Sequence, residues 1–138
     1  DGMDVPAGRS QRMLDAAEKG LPKLPVPRRA QVMVGVARAH AALGNADEAQ
    51  RLARDGVGLA RSRGLRLLDL EGRLLLARLA EDPAAAAGWR REAAIIASGI
   101  ENDLGPELAR HFRERPGMGE LAAGNPLAPA MSEGSETP

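Results

Sequence analysis

Two histidines, seventeen arginines, a handful of neighbouring carboxylates and no cysteine set the chemistry open to this 138-residue chain. His40 has no carboxylate or nucleophile at a spacing that would orient it for acid–base work, so it reads as a side chain packed between helices. His111 has no His, Cys or Asp three or four residues away, and it stands 71 positions from His40, so ligand spacing argues against a metal site and for a place at the surface or an end. The carboxylates Asp47-Glu48, Asp69 with Glu71, and Glu81-Asp82 lie one or two apart, and residues so spaced on a helix do not face each other. Capping and solubility explain them better than catalysis. Gly56-Val57-Gly58 has no preceding strand and no third glycine, which argues against a dinucleotide loop. No Gly-x-Ser-x-Gly elbow offers a nucleophile. The expectation is a non-enzyme with no catalytic residue, no metal and no cofactor.

Composition narrows the partners. Nineteen basic and nineteen acidic residues give zero formal charge, so no general electrostatic excess draws the chain to nucleic acid or an anionic membrane. One Trp, one Phe and no Tyr cannot build a base-stacking platform, and without Cys there is no disulfide, thiol nucleophile or zinc ribbon. No run approaches the roughly 18 apolar residues of a membrane span and no leader pattern opens the chain, so a cytoplasmic setting is expected. Arginine over lysine by seventeen to two, with abundant Ala, is the bias of a high-GC bacterial coding sequence. A start at Asp1 instead of Met suggests a piece of something longer.

The elements that would position these groups are helical. Residues 1–8, with two Gly and a Pro, read as an irregular lead-in; a short helix follows over 9–19, stopped by Gly20 and Pro22. Three prolines within 21–27 make a stiff connector. The segment 28–43 is apolar around most of its circumference and must be covered on more than one side. After Gly44-Asn45, the positions Ala49, Leu52, Ala53, Gly56, Val57 and Ala60 form a one-sided stripe, with Arg51, Arg54, Asp55 and Arg61 turned outward. Gly64 precedes a Leu-rich helix over 65–80. Glu81-Asp82-Pro83 opens a further helix over 84–104, in which Trp89 belongs to the apolar stripe with Ala86 and Ala93 as core or interface. Gly105-Pro106 ends it, and a last helix over 107–115 precedes a Gly/Pro/Ala/Ser-rich stretch, 116–138, too poor in large apolar groups to fold. Its final Gly-Ser-Glu-Thr-Pro reads equally as linker. The division is an N-terminal helix with connector (1–27), a helical domain (28–115) and a disordered tail (116–138).

Within 28–104 the pattern repeats: Val36-Ala37-Arg38-Ala39 parallels Leu76-Ala77-Arg78-Leu79, forty residues on. Small residues recur where helices of a hairpin approach, at Ala37, Ala49 and Gly56, with Gly44-Asn45 as the turn. Over residues 30–63 this resembles the tetratricopeptide repeat. The second hairpin departs from the pattern, since Ala77 and Ala86 lie nine apart and the turn is Glu81-Asp82-Pro83. More broadly the chain looks like the C-terminal repeat segments of bacterial multi-domain signalling proteins, kinases and ATPase-type regulators among them. The resemblance implies an all-α fold: antiparallel helix hairpins, a fragment of an α-solenoid with flanking helices, whose first helices line a concave groove. It maps Gln31, Val34 and Arg38 onto that groove, with Leu74 and Arg78 one repeat later. Two forked guanidiniums could clamp a carboxylate, or both could simply reach from an apolar helix into water.

These readings converge on a protein–protein interaction or regulatory module that holds a peptide or partner helix. Two hairpins cannot cover their own apolar faces, so the helix at 9–19 or at 65–80 is expected to lie against neighbouring repeats of a parent chain, a partner, or a second copy. The alternative is a nucleic-acid-binding regulator working through Arg61-Ser62-Arg63-Gly64-Leu65-Arg66. Twelve Arg against ten acids over 28–104 is too even a balance for a strong phosphate footprint.

Overall fold

The computed structural model describes residues 4–119 and 121, with side chains from Gly8 onward. Six helices follow one another among them: α1 (Asp4–Gly20), α2 (Val26–Ala42), α3 (Ala46–Ser62), α4 (Arg66–Leu79), α5 (Pro83–Asp103) and α6 (Pro106–Arg113), with a single 3-10 turn at Leu21–Lys23. No strand occurs among the described residues. The chain is all-helical.

Two helices start earlier than their prolines suggested. Pro6 lies in the first turn of α1 and Pro27 at the head of α2, where backbone N–H groups have no intrahelical partner and proline removes nothing. The expected lead-in therefore begins as helix at Asp4, and the stiff connector shrinks to the 3-10 turn and Leu24-Pro25. Arg29 fastens that turn by donating from Nη2 to the Leu24 carbonyl at 3.0 Å.

The turns between α2, α3 and α4 are the same device used twice. Gly44 and Gly64 adopt left-handed φ of 83° and 69°, which an L side chain would resist. The next residue's N–H reaches back to a helix carbonyl, Asn45 to His40 at 2.8 Å and Leu65 to Ala60 at 2.9 Å, and each glycine N–H bonds one carbonyl further on. At the head of α5 the device differs: Asp82 accepts from the Ala85 N–H at 3.2 Å, with Pro83 as the first helical residue.

Contacts fall at nearly equal distances from each turn, so successive helices run antiparallel. Gly56 sits against Val34, Gly72 against Val57, and Arg73 meets Glu92. Side-chain size sets the spacing. A Cβ added to Gly72 would lie 2.5 Å from Val57 Cγ2, and one on Gly56 would lie 3.0 Å from Val34 Cγ2, so α3 packs against α2 and α4 at a distance only a hydrogen permits. Ala37 and Ala49 are fully buried. The segments forty residues apart share one burial pattern: Val36 and Leu76 buried, Ala37 and Ala77 buried, Arg38 and Arg78 exposed.

One apolar cluster joins Leu21, Val36, Leu52, Val57, Leu75 and Leu76; a second joins Leu70, Leu74, Ala93, Ala97 and Phe112 to Met118 and Leu121. The first residues beyond α6 are thus packed, contrary to a tail beginning at 116. Met118 and Leu121 cover α4 from outside, at 8% and 6% exposure. The rest of the expected tail, 122–138, lies outside the described residues. The leftover face of the Leu-rich helix is in this way covered by the chain itself. That of α1 is left uncovered by the described residues: Met13 is 66% exposed beside a hollow that also involves Leu14, Ala39 and Leu43.

Candidate functional site

The residues assigned to a groove on α2 and α4 separate into core and surface. Val34 and Leu74, at 1% and 4% exposure, are core residues and offer no surface to a ligand; Val34 faces the glycines of α3 and α4, and Leu74 lies beneath Gly117. The repeat register placed both on an inner face without allowing for the helices and C-terminal segment that close over it. Gln31 and Arg38 are exposed on α2. Arg38 Nη2 stands 3.7 Å from Glu71 Oε1, and the other oxygen of Glu71 accepts from Arg115 Nη2 at 3.1 Å. Arg78 is exposed with Gly117 beside it. Arg115, Gly117, Met118 and Leu121 therefore occupy the α4 half of the face that was expected to be an open groove.

A buried ion pair lies on the opposite side of α4. Asp69 and Arg73 are one helical turn apart, so their side chains meet, Nε donating to Oδ1 at 2.6 Å, and both residues are under 10% exposed. The sequence had placed Asp69 among solubilising carboxylates; it is instead the partner of a buried guanidinium. Arg73 also pairs through Nη1 with Glu92 of α5 and lies 5.8 Å from the centre of the Trp89 ring.

Above this group, α3 and α5 leave a cleft. Two adjoining hollows of about 560 and 260 Å³ share Arg54, Ala85 and Trp89. The larger is rimmed by Arg54, Arg61 and Glu92, the smaller by Asp47, Glu81 and Asp82. Half-buried Trp89 lies with Arg54 where the two hollows meet, between an end that carries Arg61 and Glu92 and an end that carries three carboxylates. Gly58 and Gly88 both line the larger hollow and put no side chain into it. The sequence located Trp89 on an apolar stripe, but the cleft depends on α3 and α5 sharing a face of α4, for which no local pattern exists.

His40 is buried as expected, at 1% exposure, yet it does have an orienting carboxylate. Glu18 of α1 lies 3.0 Å from Nε2, and Asn45 Nδ2 lies 3.1 Å from Nδ1. With Asn45 donating to Nδ1, the ring proton sits on Nε2 and is donated to Glu18; the tautomer is assigned from this network. Arg51 joins Glu18 and Glu48, at 2.8 and 2.5 Å. Its hydrogen bond holds the Glu48 carboxyl below the usual carboxylate range, and Glu48 in turn raises Arg51. His111 is exposed, 3.8 Å from Glu114.

In the Arg-rich segment, Arg61 and Arg63 are exposed, but Arg66 is bound to Asp103 of α5 at 2.7 Å. No described helix is long and apolar enough to cross a membrane. No protein-family model, curated protein or solved structure matches the chain.

Proposed function

We propose that the chain is a non-catalytic, tetratricopeptide-like interaction module that holds a peptide segment of a partner protein in the cleft between α3 and α5. The supporting observation is the cleft's charge pattern: Trp89 and Arg54 border both hollows, with Arg61 and Glu92 at one end and the three carboxylates Asp47, Glu81 and Asp82 at the other. Such a surface suits a segment that lays an apolar side chain on Trp89, with an acidic residue toward Arg61 and a basic one toward Glu81. Aromatic anchors and arginines carry a large share of binding energy at interfaces, and opposed charges fix the direction of the bound segment. The repeated burial pattern of α2 and α4 and the close approach at Gly56 and Gly72 support the repeat reading.

Trp89 is the only tryptophan, so its fluorescence reports on this cleft alone. Peptides selected from a random display library should shift that emission and follow the acid–apolar–base pattern. They should lose at least about tenfold in affinity with Arg61→Glu, a surface change, and keep it with Arg38→Glu. Selected peptides that leave the emission unchanged and are weakened by Arg38→Glu would move the site to the α2 face.

A further inference from the structure

We propose that Glu18, His40 and Glu48 form a binding site for a divalent first-row transition-metal ion, with zinc as the ion whose ligand preferences they meet. The three residues come from α1, α2 and α3, and each offers one ligand atom, all within 4.8 Å of one another. Zinc bonds of about 2.0–2.1 Å in a tetrahedral arrangement put ligand atoms about 3.4 Å apart, so small side-chain rotations close the set. The imidazole sets this group apart from a patch of acids, because hard cations such as calcium and magnesium prefer oxygen alone.

The ring is held from behind by a residue that can serve either tautomer. Asn45 sits against Nδ1 and is itself tied to Gln11 Oε1 at 2.9 Å. Metal at Nε2 requires the ring proton on Nδ1; a half-turn of the Asn45 amide presents Oδ1 to accept it, and a matching half-turn of the Gln11 amide keeps the Asn45–Gln11 hydrogen bond. In front, a hollow of about 530 Å³ opens to solvent and adds the carboxylates of Asp15 and Asp47, leaving room for a water as fourth ligand. Both glutamates are within reach of that space.

Arg51 already neutralises the two glutamates, and the proposal gives it a specific role. Its side chain is half exposed and has a third carboxylate, Asp55, 3.8 Å away, so it can leave Glu18 and Glu48 without losing every partner. Arg51 is then a tethered competitor of the metal ion. A purely structural ion-pair cluster that lost Arg51 would attract cations of any kind through its uncompensated carboxylates, without preferring zinc to Mg2+ or Ca2+. A bound ion would join three helices at one point and would be displaced by protons as pH falls.

The test is calorimetric titration of the full chain with Zn2+ in chelator-treated buffer, alongside the thermal midpoint. One ion per chain and a raised midpoint are expected, with no such rise in Mg2+ or Ca2+. Glu48→Gln, a half-exposed position, should weaken zinc at least about tenfold. Arg51→Met should tighten it severalfold while lowering the metal-free midpoint, and Co2+ should show ligand-field bands that Glu48→Gln abolishes. Absence of saturable binding to both the wild type and Arg51→Met overturns the proposal. So does binding that survives Glu48→Gln but is lost in His111→Gln, or weaker binding in Arg51→Met.

Discussion

Arg73 shows how one residue can govern a neighbourhood. It is buried with Asp69, bonded to Glu92 and set against Trp89. Removing one member of a buried ion pair leaves the other desolvated and uncompensated, which costs about 3–5 kcal/mol. Arg73→Met should therefore destabilise the fold by roughly 3 kcal/mol, read from the urea midpoint, and Asp69→Leu added to it should restore most of the loss. Glu48 governs a different property. Its folded-state pKa is depressed below the ordinary 4.5, so the native chain keeps this carboxylate ionised where the unfolded chain protonates it. The stabilisation is complete above that ordinary value and is lost as pH falls through the depressed one. Glu48→Gln should be less stable than wild type at neutral pH, and denaturation across a pH series should show the difference closing on acidification.

At the scale of elements, the packing of α3 against α4 depends on Gly72. Its Cβ would meet a buried, stiff Val57 methyl, so Gly72→Ala should cost about 1–3 kcal/mol. Gly35, exposed in the middle of α2 with nothing near its missing Cβ, gives the control: Gly35→Ala should stabilise by about 0.5–1 kcal/mol through helix propensity. Thermal denaturation of the two variants should move in opposite directions. Element boundaries were legible where the signal is local. Gly44, Gly64, Asp82-Pro83 and Gly105-Pro106 mark turns through their own backbone chemistry, and the Ala49-to-Ala60 stripe shows its buried face directly. The site was much less legible. His40 finds its carboxylate 22 residues upstream on another helix, and Asp69 and Arg73 have the spacing of a surface pair although α3 and α5 bury them. Neither fact is carried by periodicity.

For the molecule as a whole, the C-terminal segment determines which faces remain open. Met118 and Leu121 are large apolar residues in a stretch of Gly, Pro and Ala too sparse to show a helical period, and their burial comes only from the presence of Leu70, Leu74 and Phe112. Met118→Ala should cost about 2 kcal/mol, and a chain ending at Arg115 should lose more, with increased binding of a hydrophobic dye as α4 is uncovered. Circular dichroism should find the helices retained in both. The α3–α5 cleft shares no residue with this cover, so its ligand should bind the shortened chain unchanged.

Each helix rests chiefly on those next to it in the chain. Closing such short loops costs little entropy, so assembly can begin at any hairpin and spread outward in either direction. A protein built in this way should reach its native state quickly and lose its outermost helices before its middle ones, so that α3 and α4 exchange their amide protons last.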